Sequence, residues 1–164
     1  MKIEALFISD VHLGSKGSNA NEVLTVLKQY QPEYLFLVGD IIDGWLLKRK
    51  FRWPQSHTNV LRKILSYSKN GTKVIYIRGN HDDPNYFKGE DIINLSNFKL
   101  IEDYSVMEHN GKLIQFIGGA TSIDRSKRKE GISYWSGEGL NFNGDKLQKV
   151  DILVTHTAPT WCSP

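Results

Sequence analysis

Cysteine is nearly missing from this chain: Cys162 is the only one in 164 residues, so no internal disulfide can form. That usage fits a reducing compartment. Cys162 also has no recognisable triad partners, which argues against a thiol nucleophile. No apolar run approaches the ~20 residues that span a bilayer. Met1-Lys2-Ile3 leads straight into a strand-like segment, without the charged and apolar regions of a secretory leader. Repeats, low-complexity tracts and linkers are also lacking. These absences argue against a disulfide scaffold, an integral membrane protein and a repeat array. They predict a cytoplasmic protein with one domain over residues 1–164.

A content of 40% hydrophobic and 24% charged residues is ordinary for a globular chain of this length. Net charge is only +3, but it is unevenly spread. Lys48-Arg49-Lys50-Phe51-Arg52-Trp53 and Arg125-Ser126-Lys127-Arg128-Lys129 hold much of the excess. Two readings fit: solvated loops, or surfaces that draw an anionic substrate, a nucleic acid or an anionic membrane.

Ile3 to Ser9 is apolar and partly β-branched, and reads as a buried strand entering a loop. Asn19 or Asn21 can cap a helix whose apolar face is Val23, Leu24, Val26 and Leu27, and Pro32 closes that segment. Tyr34 to Val38 is a second strand. Pro54 suits the first residue of another helix, with Val60, Leu61, Ile64, Leu65 and Tyr67 at helical spacing and Asn70-Gly71 as its stop. Lys73 to Ile77 is a third strand. This alternation predicts a parallel α/β sheet with right-handed crossovers. The pattern then changes. Val106 to His109 and Lys112 to Ile117 flank Asn110-Gly111, a strong hairpin signal. A long polar loop opens at Gly118-Gly119-Ala120, a short helix is expected over Asp145 to Lys149, and Ile152 to Thr155 is a last strand. An antiparallel part therefore joins the parallel one, as in a mixed or two-sheet sandwich.

Four strands end in residues able to ligate metal: Asp10 and His12, Asp40, Asn80 and His81, and His156. In open α/β sheets the carboxyl ends of the strands face one crevice, so these six should converge. An extended Asp10-Val11-His12 would point two ligands to one side. Gly39 and Gly79 let backbone approach the site. Carboxylate, amide and imidazole donors together suit Mn, Fe or Zn and suit calcium poorly. Individual residues also have plainer readings. Asp40 could cap a helix, His156 could cap a neighbouring carbonyl, and Asp43 reads at least as well as a turn residue. His57 reads as a helix-face residue and His109 as a hairpin residue. Trp45, Trp53 and Trp135 read first as packing, although Trp45 and Trp53 bracket the basic stretch and could form an amphipathic lip. Arg125 and Arg128 are candidate phosphate contacts, as are Lys48 and Arg49.

The segments "DVHLG", "GDIIDGW", "RGNHDD" and "VTHTAP" resemble, in order and spacing, successive blocks of the calcineurin-like metallophosphoesterases. Phe7 to Asp82 is especially similar to bacterial UDP-2,3-diacylglucosamine diphosphatase-like proteins. "FIGGATSIDRSKRKEGISYWSGE" is more like general bacterial and phage metallophosphoesterases, with their Gly-Gly-Ala, Ser-Ile-Asp, Arg, Trp and Glu pattern. The resemblance implies a four-layer α/β/β/α sandwich of two mixed sheets. It implies two divalent ions, Mn²⁺ first, with Asp10 and His12 on one, Asp40 bridging, and Asn80 and His156 on the other. His81 would donate a proton or a hydrogen bond to the leaving oxygen, and Asp82 would orient His81. Two such ions ~3.5–4 Å apart activate a shared hydroxide and clamp a phosphoryl group.

The superfamily ordinarily has a further Gly-His-x-His block, absent before Pro164, so the resemblance implies a domain lacking its last strands. The leading expectation is a metal-dependent phosphoesterase acting on a phosphorylated small molecule or nucleotide. A UDP-2,3-diacylglucosamine-type nucleotide-lipid pyrophosphatase with peripheral membrane contact is the alternative, and a non-catalytic binding module the second.

Overall fold

In the computed structural model, residues 1–88, 95–123 and 125–158 are described. Cys162, the terminal Pro164 and the Asp124 of the Ser-Ile-Asp pattern lie outside them. The order is β1 (Lys2–Ile8), α1 (Ala20–Gln29), β2 (Gln31–Val38), α2 (Gly44–Arg49), α3 (Gln55–Lys69), β3 (Lys73–Ile77), β4 (Phe98–Leu100), β5 (Val106–His109), β6 (Lys112–Ile117) and β7 (Ile152–Thr155).

Strands β1 to β4 form a sheet in that order, and every pairing in it is parallel. Alternation along the strands sends one set of side chains to each face. Leu6, Ile8, Leu35, Leu37, Val74 and Tyr76 pack with Leu27 of α1 and with Val60, Ile64 and Tyr67 of α3. Ala5, Tyr34, Phe36, Val38, Ile75 and Ile77 pack on the other side against Ile114, Phe116 and Val154 of the second sheet. Tyr34 to Val38 is thus buried on both faces, which explains its uninterrupted apolar run. Pro32 does not close a segment; it sits inside β2, paired with Ile3. It is tolerated there because the β3 pairing begins only at Tyr34, so its missing N–H leaves no ladder bond unmade on that side.

The second sheet is mixed. β5 and β6 pair antiparallel through a turn in which Asn110 and Gly111 both take positive φ, and β7 joins β6 in parallel. The two-sheet α/β architecture is as expected, with the first sheet wholly parallel rather than mixed. Among the described residues the layers are α/β/β. The 3₁₀ turn Gly144–Lys146 stands where a short helix over Asp145 to Lys149 was expected. The Lys146 carbonyl there accepts from the buried Gln115.

Candidate metal centre

Asp10 and His12 follow β1, Asp40 follows β2, Asn80 and His81 follow β3, and His156 follows β7. The expected convergence occurs, but by a different local geometry. Asp10 and His12 are not an extended pair: φ is 54° and 48°, and Asp40 has φ 55°. These are non-glycine residues in the left-handed region, where strain costs ~1–3 kcal/mol each and persists only when the surroundings impose it. Here the loops after β1 and β2 impose it by continuing the ladder, His12 N donating to Asp40 O at 2.9 Å and Leu13 N to Ile41 O at 2.9 Å. The strand ends are also too close for side chains between them. A Cβ on Gly39 would lie 2.5 Å from His156 Nδ1, and one on Gly79 would overlap the Asp40 carboxylate.

Asp40 is 2% exposed and its two oxygens have different duties. Oδ1 accepts from the His81 backbone N–H at 2.8 Å. Oδ2 faces the Nε2 atoms of His12, His81 and His156 at 3.9, 3.8 and 3.7 Å. The carboxylate and imidazole donors form two sets that share Asp40, one with His12 and His81 and the other with Asp10 and His156. In these sets Asp10 falls with His156, and His81 joins His12. Asp10 remains next to His12, at 3.7 Å.

His156 makes two contacts with its ring nitrogens. Its Nδ1 caps the Val38 carbonyl at 2.9 Å, and its Nε2 faces Asn80 Oδ1 at 3.2 Å. The cap places the neutral ring's proton on Nδ1, so Nε2 offers a lone pair. Asn80 Nδ2 is committed to Ser122 Oγ at 2.9 Å, so the amide offers its oxygen. Two acceptors and the Asp40 carboxylate therefore point into one small space. A divalent cation could be held by all three.

Asp43, read as a turn residue, lies inside this cluster and is 3% exposed. It sits 3.6 Å from His12 Nδ1 and 3.3 Å from His81 Nδ1. Burial would raise its carboxyl, but hydrogen bonds with His12 and His81 outweigh it and hold the pKa at about 2. Asp10 and then Asp43 push the His12 imidazole up to about 10 against desolvation. The same contact with His12 lowers Asp10. The spacing of Asp43 from Asp40, on one short loop, was the signal available for it.

Asp82 does not meet His81. Its Oδ2 accepts from Gly79 N at 2.7 Å and Asp40 N at 3.1 Å, and its Oδ1 from Tyr76 OH at 2.7 Å. The expected orienting role is therefore replaced by a structural one, tying the ends of β2 and β3 together. Burial raises its carboxyl despite these donors. His57 is likewise more than a helix-face residue: buried, it accepts the Gly14 N–H at 2.9 Å and fixes the turn after His12. His109 pairs with Glu4 in the hairpin region.

Two clefts share Trp45 and Lys48. One, of about 490 Å³, is lined by Trp45, Lys48, Arg49, Lys127, Arg128 and Lys129 among others. The Arg128 guanidinium stacks on Trp45 at 5.2 Å and has Nη2 3.3 Å from His81 Nε2. Arg125 is not in this lining; it lies over the Tyr134 ring. The other cleft, of about 430 Å³, is mainly apolar, with Trp45, Tyr86, Phe87, Leu100 and Trp135 around His81. Trp45 lines both clefts and donates its indole N–H to His81 Nδ1 at 3.2 Å. Trp53 packs instead on His57.

The family model described as calcineurin-like phosphoesterase matches residues 3–164. A UDP-2,3-diacylglucosamine hydrolase of Neisseria gonorrhoeae is 30% identical over 106 residues, covering 62% of this chain and 42% of the relative. Another, from Histophilus somni, is 27% identical over 123 residues, covering 72% of this chain and 50% of the relative. The chain thus spans about half the length, or less, of these curated relatives. A solved structure, the nuclease MPE of Pseudomonas putida, is 22% identical with a TM-score of 0.41, covering 68% of this chain and 52% of that one.

Proposed function

The chain belongs to the calcineurin-like phosphoesterase family, and from that membership we propose that it hydrolyses a phosphate ester or pyrophosphate at a dinuclear divalent-metal centre. Asp10, His12, Asp40, Asn80 and His156 would hold the ions, with His81 beside them. One observation carries the reading: Asp40 Oδ2 faces three imidazole Nε2 atoms within 3.9 Å, with Asp40 and His12 themselves held in the left-handed region. Mn²⁺ is the first ion assigned, with Fe or Zn matching the same donors. Bound there, two divalent cations supply a water whose pKa falls from about 15.7 towards ~7 and neutralise charge on the phosphoryl oxygens.

The chain's own groups do the remainder. His81 Nδ1 faces the Trp45 indole N–H at 3.2 Å and Asp43 Oδ1 at 3.3 Å, while Nε2 faces the Asp40 carboxylate and Arg128. As the charged ring it would pass a proton to the leaving oxygen, a contribution of roughly 10²–10⁴-fold. Asp43, 3.3 Å from Nδ1, stabilises the ring when it is charged. Lys48, Arg49 and Arg128 draw the anionic substrate to the cleft beside His81. Arg125 stands further out, over Tyr134.

Within this chemistry a second reading has its own support. A nucleotide-lipid substrate would suit an apolar, aromatic cleft directly against a cationic one, the two sharing Trp45 and Lys48 in their linings. Phe51, 80% exposed between Lys50 and Arg52, gives the basic stretch an apolar tip for peripheral membrane contact. No helix among the described residues is long and apolar enough to cross a membrane. Assays of p-nitrophenyl phosphate, bis-p-nitrophenyl phosphate and a UDP-sugar lipid, with Mn²⁺ and with chelator, separate these readings. Metal-dependent turnover of one class, lost more than ~100-fold in Asp40→Asn, is expected. Activity unchanged in both Asp40→Asn and His81→Ala would refute the assignment. A protein that binds Mn²⁺ and hydrolyses none of the three would be the binding module.

A further inference from the structure

The segment from Gly118 to Glu138 supplies no proposed ligand, yet two of its buried residues reach the site. Ser122 is 5% exposed and Glu138 is fully buried. Ser122 Oγ accepts from Asn80 Nδ2 at 2.9 Å, and the Ser122 backbone N–H donates to Glu138 Oε1 at 3.0 Å. The Glu138 backbone is in turn held by Arg78, which donates to the carbonyls of Gly137, Glu138 and Gly139 at 3.2, 2.8 and 3.1 Å. Asp103 takes two further Arg78 N–H groups, at 2.7 and 3.0 Å. Arg78 is the last residue before Gly79-Asn80. Both ends of the Asn80–Ser122 hydrogen bond are therefore anchored to the tip of the same strand.

We propose that Ser122, seated by Glu138, is a positioning residue that holds the Asn80 amide with its oxygen turned into the metal site. An asparagine amide has an oxygen and a nitrogen of nearly equal size, and only the oxygen ligates a cation. His156 Nε2 lies 3.2 Å from Asn80 Oδ1, with its own proton committed to Val38 on the Nδ1 side. A half-turn of the amide would aim Nδ2–H at that lone pair and close the site with an internal hydrogen bond. Ser122 Oγ accepts Nδ2–H at 2.9 Å and so holds the amide in the orientation that presents Oδ1. The proposal rests on the dinuclear reading, since it concerns how one of its ligands is presented.

The test is a double-mutant cycle read by Mn²⁺ binding, with calorimetry and the EPR signal of unbound Mn²⁺, rather than by turnover. Ser122→Ala should keep the metal-free unfolding midpoint and lose ~10–100-fold in affinity for one of two ions, as outer partners of metal ligands typically do. Ser122→Thr, which restores a hydroxyl, should recover it. Asn80→Asp presents an oxygen whichever way it turns, so adding Ser122→Ala to it should change affinity by less than about threefold. An equal loss with the native Asn80 and in the Asn80→Asp background would make Ser122 a packing residue and overturn the proposal, as would no loss in either. Wild-type protein that takes up no Mn²⁺ would overturn the dinuclear reading itself, and this one with it.

Discussion

At the scale of single residues, the centre is held by charge that metal would have to displace. His12, pushed up to about 10 by Asp10 and Asp43, is protonated at neutral pH in the metal-free protein. It can ligate only as the neutral ring, so Mn²⁺ uptake should release close to one proton, and affinity should rise with pH towards that value. Calorimetry in buffers of different ionisation heat measures this; no dependence on the buffer would contradict it. Stability of the metal-free protein follows the same groups with opposite signs. The folded pKa of His12 is raised, so its contribution is complete below ~6.5 and lost as pH rises through about 10. That of Asp43 is lowered, so its contribution is complete above ~3.9 and lost as pH falls through about 2. Asp82 gives a sharper test. Removing it strands two backbone N–H groups and the Tyr76 hydroxyl, so Asp82→Ala should cost roughly 2–5 kcal/mol in denaturant unfolding. A residue that only oriented His81 would cost turnover and leave stability alone. The sequence made the ligands legible because each follows an apolar run. It did not separate Asp43 from Asp82, because which carboxylate meets His81 depends on how the loops after β2 and β3 fold against each other.

At the scale of elements, the site is a property of strand ends. Gly39 and Gly79 let β2, β3 and β7 come together without intervening side chains. Gly39→Ala combines a side chain at φ +72° with an overlap on His156, and should cost at least ~1–3 kcal/mol. It should also abolish the rise in melting temperature that Mn²⁺ is expected to produce in the wild type. A variant stabilised normally by Mn²⁺ would show that the close approach is not needed. The longer strands, helices α1 and α3 and the β5–β6 hairpin were readable from period and turn chemistry alone. Two elements were not. α2 has only six residues, too few for a helical period to show, and β4 has three, too few for alternation. The Ser122–Asn80 contact was out of reach for another reason: it joins residues 42 apart through an irregular loop.

At the scale of the whole molecule, the two sheets are bound by one apolar layer in which Phe116 stacks on Phe36 at a centroid distance of 5.6 Å. Since β7 carries His156 and β1 to β3 carry the other proposed ligands, that layer sets the distance between the two halves of the centre. Phe116→Ala should cost ~3–5 kcal/mol and weaken Mn²⁺ binding as well. Circular dichroism and tryptophan fluorescence should report a single shared transition, and separate transitions would show that the sheets are independent. The parallel first sheet and its mixed companion follow from segment order, whereas the covering of the outer face does not.

The central claim is that one carboxylate, Asp40, serves two metal ions at the meeting point of four strand ends. Crystals grown with Mn²⁺ and measured for anomalous scattering test it most directly. The account predicts two peaks ~3.5–4 Å apart, both in contact with Asp40. One of them should lie against Asn80 Oδ1 and His156 Nε2. A single peak, or peaks away from Asp40, would contradict it.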